Sequence, residues 1–167
     1  MMRRGKASTW AEYGEDIGVL TGDALMMYAF ETAANAFETS IDPDELSRIG
    51  RAMGILARKT GVYGMIGGQT VDVELAGSDI PRDKLDFIYR LKTGALLEAS
   101  MLIGAVLGGA AEEDCKIVER LASHIGMAFQ IQDDILDVTG SEEELGKPAG
   151  SDARNGKTTY VTLEGLE

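Results

Sequence analysis

Apolar residues recur at three- and four-residue spacings through most of the chain, and no stretch sustains the two-residue alternation of a half-buried strand. The pattern predicts an all-α protein, a helical bundle in one domain spanning residues 1–167. From about Gly14 to Phe37, the positions Ile17, Leu20, Ala24, Met27, Ala34 and Phe37 mark one long helix. A start signal follows: Asp42 caps, Pro43 suits the first helical position, and Glu45 adds an acid to the first turn of a helix running to about Thr60. Gly61 and Gly64 interrupt the chain before a helical stretch through Gln69, Asp72 and Leu75 that stops near Gly77. Beyond Ile80 and Pro81, Leu85, Ile88, Leu91, Ala95 and Leu102 carry a helix to Gly108 and Gly109, with a kink expected around Thr93 and Gly94. From Glu112 to Val138, one apolar stripe (Ile117, Leu121, Ile125, Ala128, Ile131, Ile135, Val138) backs onto a polar face. Gly140 to Gly156 reads as a mobile loop, and Thr158 to Leu166 resumes helical character.

Composition narrows the class. Hydrophobic residues at 44% and charged residues at 26% describe an ordered globular chain rather than a disordered one. A formal charge of −12 repels polyanions and argues against nucleic acid as a partner. Cys115 is the only cysteine, so nothing calls for an oxidising compartment, and a cytoplasmic setting is expected. Arg3, Arg4 and Lys6 precede a polar and aromatic stretch rather than the apolar core of a signal peptide. Ala95 to Ala111 is the most lipid-like run, but it contains Glu98 and several glycines and is too short to span a bilayer, so a buried helix is expected there.

The chemistry-bearing stretch is Gln130 to Asp137. Asp133 and Asp137 lie four apart on one helical face, with Asp134 three before Asp137. Like charges at this spacing disfavour a helix, and carboxylates near its C-terminal end also oppose the dipole. The apolar neighbours Ile131, Ile135, Leu136 and Val138 suggest a partly buried wall, where carboxylates need a cation or strong donors. Hard oxygen ligands with a single histidine, His124, point to Mg²⁺ and away from a di-iron bundle. On spacing alone, a solvated acidic face accounts for these residues as well as a metal site does.

Four segments carry a specific resemblance: GGQTVDVELAG (67–77), LKTGALLEAS (91–100), AFQIQDDILDVTG (128–140) and GKPAGSDARNGKTTY (146–160). In order and spacing they resemble the motif series of trans-polyprenyl diphosphate synthases; RRGKAST (3–9) and LTGDALMMYAFE (20–31) extend the similarity over essentially the whole chain. The resemblance implies an isoprenoid-synthase helical bundle. It also implies a Mg²⁺-dependent prenyltransferase that joins an allylic diphosphate to isopentenyl diphosphate, making farnesyl or geranylgeranyl diphosphate, and a homodimer. By match to the second aspartate-rich motif, Asp133 is the expected direct Mg²⁺ ligand, with Asp134 and Asp137 completing ligation or holding bound water. Lys92, Lys147 and Lys157 match lysines that grip the allylic diphosphate, joined by Arg3, while Arg4 serves isopentenyl diphosphate. Thr93 and Gln130 match polar groups at the reaction centre; Gln69 and Asp72 match a motif that faces the same cavity and tethers a lysine or metal-bound water.

The match departs from the family in one respect. That family sets two aspartate-rich motifs across a cleft, whereas this sequence opens at Met1 and Met2 where the first motif should just have ended, and stops at Glu167 where further helices are expected. The expectation is an internal fragment, incomplete at both ends and lacking activity by itself, with exposed apolar surfaces and a tendency to self-associate. The alternative is a non-catalytic isoprenoid-binding protein or partner subunit of helical fold. Class I terpene cyclases rank third, because the lysine-rich loop after Asp137 looks more like the chain-elongating branch.

Overall fold

The computed structural model describes residues 6–140, 150 and 156–166, together with the backbone of residues 2–3. A two-stranded antiparallel ribbon opens it, β1 (Met2–Arg3) against β2 (Lys6–Ala7), with Met2 opposite Ala7. Strands of two residues are too short to carry an alternating pattern, so sequence periodicity does not reveal them. Helix α1 (Thr9–Tyr13) is capped by the Ser8 side chain, which accepts from the Ala11 amide at 3.2 Å. Gly14, at φ 92°, turns the chain through a left-handed conformation into α2 (Glu15–Ala34). The expected end of this helix near Phe37 is instead a 3₁₀ turn over Asn35–Glu38.

Helix α3 (Pro43–Thr60) follows the local signals closely. Asp42 accepts from the Asp44 amide at 3.1 Å, Pro43 opens the first turn, Arg58 and Lys59 occupy the last, and Gly61 ends it. Then come α4 (Met65–Glu74), α5 (Arg82–Tyr89), a π-helical segment (Arg90–Gly94), α6 (Ala95–Leu107), α7 (Glu112–Thr139) and the short α8 (Tyr160–Glu164). The kink expected around Thr93 and Gly94 is this π segment, an extra residue inside an otherwise continuous helical rod.

Helix α6 is the central element, packed between α3 and α7. It buries Ala95, Glu98, Ala99, Leu102 and Val106, and the last two join Cys115 in one core cluster. A second cluster, Ile80, Leu85, Ile88 and Tyr89, holds α5 against Val71 and Leu75 of the α4 region and Met127 of α7. Leu85 and Ile88 are 1% exposed, and full burial of such a side chain contributes roughly 1.5–3 kcal/mol. Glu98 is the buried acid of α6, and it is bonded by Lys59 Nζ at 2.5 Å, which also reaches Glu119 at 3.0 Å.

Helix α7 corrects one sequence expectation. Its stripe of large apolar residues lies at the surface, with Ile117 54% and Leu121 50% exposed and Ile135 and Val138 also exposed. The buried positions are Cys115, Ala122, Gly126, Asp134 and Asp137. Gly126 meets Gly94 of the π segment so closely that an added Cβ would stand 2.9 Å from the Gly94 Cα, and small residues such as Ala122 and Gly126 contribute little to a hydrophobic pattern. Similarly, α2 buries none of its residues, and Ile17, Leu20 and Met27 are exposed. Apolar exposure is therefore extensive, as expected. Among the described residues no helix is long and apolar enough to cross a membrane.

Candidate functional site

The π segment is gripped from two sides by glycines. A Cβ on Gly68 of α4 would lie 2.4 Å from the Lys92 amide nitrogen and 2.7 Å from Leu91 Cβ; one on Gly126 of α7 would lie 2.9 Å from Gly94 Cα. Both contacts are backbone against backbone, so the absence of a side chain is what allows α4 and α7 to close on the segment. One turn beyond Gly68 on the same face of α4, Asp72 accepts a hydrogen bond from Lys92 Nζ at 2.5 Å. The pair is partly shielded, with side-chain exposures of 18% for Asp72 and 36% for Lys92. Lys92 is therefore held toward α4. Thr93 is half-buried beside it, and Gln69 is half-buried on α4.

The same geometry orders the acids of α7. At about 100° per residue, Gln130, Asp133 and Asp137 lie within roughly 40° of the direction in which Gly126 meets Gly94, whereas Asp134 is turned some 80° away. Asp133 and Gln130 are half-buried, and Asp137 is 1% exposed. The Asp137 carbonyl accepts from the Gly150 amide at 2.7 Å.

Asp134, 2% exposed, meets a different set of partners. Its Oδ2 accepts from the Tyr89 hydroxyl at 2.6 Å and from the Tyr160 amide at 2.9 Å. The rings of Tyr89 and Tyr160 pack with centroids 5.5 Å apart, and the Arg82 guanidinium lies 5.8 Å from the Tyr160 centroid. The Tyr160 hydroxyl donates to Asp86, and burial together with that bond pushes its pKa up to about 12. Thr159 and Thr162 complete a reciprocal capping box at the start of α8. The Ile80 amide donates to Thr158 Oγ1 at 3.2 Å, tying the segment before α8 to the start of α5.

Lys157, in this segment, is half-buried and lines a cleft of about 150 Å³ with Asp72, Leu75, Ser78, Ile80 and Thr158. Asp72 is thus bonded to Lys92 and lines one cleft with Lys157. Of the remaining expected site residues, Arg3 is described only as part of β1, and Arg4 and Lys147 lie outside the described residues, as does most of the expected loop between Gly140 and Gly156. Sequence reasoning did not single out Gly68, Gly126, Tyr89, Asp86 or Tyr160. Tyr160 stood at the end of a quoted motif, but its partners Tyr89 and Asp86 carry no local signal.

The donor chemistry fits a hard divalent cation: Asp133 and Asp137 are carboxylates on one face of α7. Among the described residues, no group of three His, Cys, Asp or Glu side chains is placed to hold a metal. That is compatible with Mg²⁺, which keeps several waters and is commonly bound through one or two carboxylates and substrate phosphates.

Comparison with known proteins gives a consistent picture. The family model described as polyprenyl synthetase matches residues 1–167. The large subunit 1 of a heterodimeric chloroplastic geranylgeranyl pyrophosphate synthase from Arabidopsis thaliana is 45% identical, over 99% of this chain and 45% of the relative. Farnesyl diphosphate synthase of Geobacillus stearothermophilus is 40% identical, over 99% of this chain and 54% of its own. A crystal structure of a Helicobacter pylori geranyltransferase complexed with magnesium and isoprenyl diphosphate superposes with a TM-score of 0.84 at 35% identity, over 98% of this chain and 52% of that one. The chain spans about half the length of the curated relatives it matches.

Proposed function

This chain belongs to the polyprenyl synthetase family, and from that premise we propose that it serves prenyl transfer, contributing part of a site that condenses an allylic diphosphate with isopentenyl diphosphate. The observation that carries this reading is the close approach of Gly68 and Gly126 to the π segment, with Lys92 bonded to Asp72 and Asp133 and Asp137 on the face of α7 that carries Gly126.

In this reading Lys92 and Lys157 grip the diphosphate of the allylic substrate, with Lys147 and Arg3 as further grips and Arg4 serving isopentenyl diphosphate. Asp72 holds the Lys92 ammonium in place between substrates, so the cation is oriented before the anion arrives. Asp133, with Asp137, is the residue set that would hold Mg²⁺, which when bound neutralises the departing diphosphate. Thr93 and Gln130 present oxygen dipoles to the allylic carbon as positive charge develops there, and Gln69 faces the same cavity. Farnesyl or geranylgeranyl diphosphate is the product class, with a homodimer as the assembly and the cytoplasm as the compartment.

A second reading is a non-catalytic partner subunit of helical fold. The exposed apolar stripes of α2 and α7 favour it, because they leave large surfaces for association. Titration calorimetry of a non-hydrolysable allylic diphosphate analogue, with and without Mg²⁺, separates the two. The prenyl-transfer reading expects Mg²⁺-dependent binding that weakens about tenfold or more in Lys92→Ala and Asp133→Asn, the loss of a charge-assisted contact. Binding that ignores Mg²⁺ and both substitutions would overturn it.

A further inference from the structure

The aspartates at 133, 134 and 137 sit in one short run, but the structure gives Asp134 surroundings of its own. Asp133 and Asp137 share the α7 face that meets the π segment; Asp134, as buried as Asp137, is rotated instead toward α5 and α8. Its Oδ2 takes the Tyr89 hydroxyl from the end of α5 and the Tyr160 amide from the first residue of α8. The rings of those two tyrosines pack against each other at a tilt of 50°, and Tyr160 also reaches back to Asp86 on α5. Asp134 thus joins three elements that nothing in the local sequence brings together.

The geometry points to Asp134 as a positioning residue, a latch that fixes the Lys157 segment against α5 and α7, rather than as a ligand of the divalent cation. Two residues separate Lys157 from Tyr160, whose amide Asp134 holds, and its flank is pinned by Thr158 Oγ1 on the Ile80 amide. Holding both ends of that short stretch sets where the Lys157 ammonium stands relative to Asp72 and the cleft they line. A carboxylate oxygen is suited to this because it accepts two donors at once from different directions. The assignment of a diphosphate to that cleft rests on the prenyl-transfer reading, whereas the latch itself does not.

The test compares Asp134→Asn, Asp134→Ala and Asp133→Asn in this chain, with Tyr89→Phe as a variant that removes one donor and leaves the acid. The asparagine keeps an oxygen acceptor of nearly the same shape. Hydrogen–deuterium exchange of residues 157–164 needs no ligand, and calorimetry with Mg²⁺ and an allylic diphosphate analogue reads the site. The latch expects exchange about tenfold faster or more in Asp134→Ala, the loss of bonds to a charged acceptor, a smaller rise in Tyr89→Phe, and near-parental exchange in Asp134→Asn. Asp133→Asn should leave exchange unchanged while abolishing the Mg²⁺ dependence of binding, and Asp134→Asn should retain that dependence. If Asp134→Ala fails to fold, Tyr89→Phe decides by exchange and Asp134→Asn by the Mg²⁺ dependence. Loss of Mg²⁺ dependence in Asp134→Asn as complete as in Asp133→Asn, or exchange in Asp134→Ala and Tyr89→Phe no faster than in the parent, would overturn the assignment. If no variant or parent binds the analogue, the prenyl-transfer reading fails and the exchange data still decide the latch.

Discussion

Replacing Gly68 by alanine adds a single methyl group at the tightest helix contact of the site. The new carbon would stand 2.4 Å from the Lys92 amide nitrogen and 2.7 Å from Leu91 Cβ, whereas unstrained contacts between such atoms lie near 3.5–4.0 Å. Neither neighbour is the end of a flexible side chain, so relief requires α4 to withdraw from the π segment by about 1 Å. Overpacking of this kind costs about 1–3 kcal/mol, and in a chain of this size each kcal/mol lowers Tm by roughly 2–4 °C. The expected fall is therefore about 2–12 °C, read by thermal circular dichroism of the helical signal. Asp72 lies on the same face one turn away, so the withdrawal also stretches the 2.5 Å Lys92–Asp72 bond and frees the lysine. The control is Gly104→Ala in α6, where an added Cβ meets nothing within 4 Å; there alanine should raise stability by about 0.5–1 kcal/mol through helix propensity. A Gly68→Ala variant as stable as the parent, with the Gly104→Ala control behaving as expected, would show that the close approach of α4 does not hold the π segment.

Two further perturbations test the polar interior. Burial alone would lower the pKa of Lys59, but the hydrogen bonds and charges of Glu98 and Glu119 outweigh it and leave the group raised. The sign follows: the stabilisation is complete below the unfolded value of 10.5 and is lost as pH climbs through the higher folded one, so urea midpoints should decline on that alkaline flank. Lys59→Met strands the Glu98 carboxylate and should cost about 2–3 kcal/mol, most of it recovered in Lys59→Met/Glu98→Leu; a double variant no better than the single one would refute the pairing. For Tyr160, raised to about 12 from an ordinary 10.0, stability is again full below the lower value and lost as pH rises through the higher one. Absorbance titration near 295 nm should show one tyrosine ionising late, and Asp86→Asn should bring it down; a late phase unaffected by that substitution would assign the shift to burial alone.

What the sequence disclosed depended on how local the cause was. The α3 boundaries were legible because Asp42, Pro43 and Gly61 act on their own backbone neighbours. The interruption at Thr93 and Gly94 was legible in place but not in kind. The π segment is accommodated by Gly68 and Gly126, on helices before and after it, and neither glycine announces a partner. Helix α7 shows the converse failure: its large apolar residues make the clearest periodic stripe in the chain, yet the face that packs is Cys115, Ala122 and Gly126, because close approach selects for small side chains. That same face, continued toward the C-terminal end of α7, carries Asp133 and Asp137. The placement of these two acids on the packed side of α7 and the misleading hydrophobic pattern therefore have one origin. A helix that packs closely against a neighbouring backbone, as α7 does at Gly126, gives its inner face to small and polar residues, and its bulky residues are left on the outside.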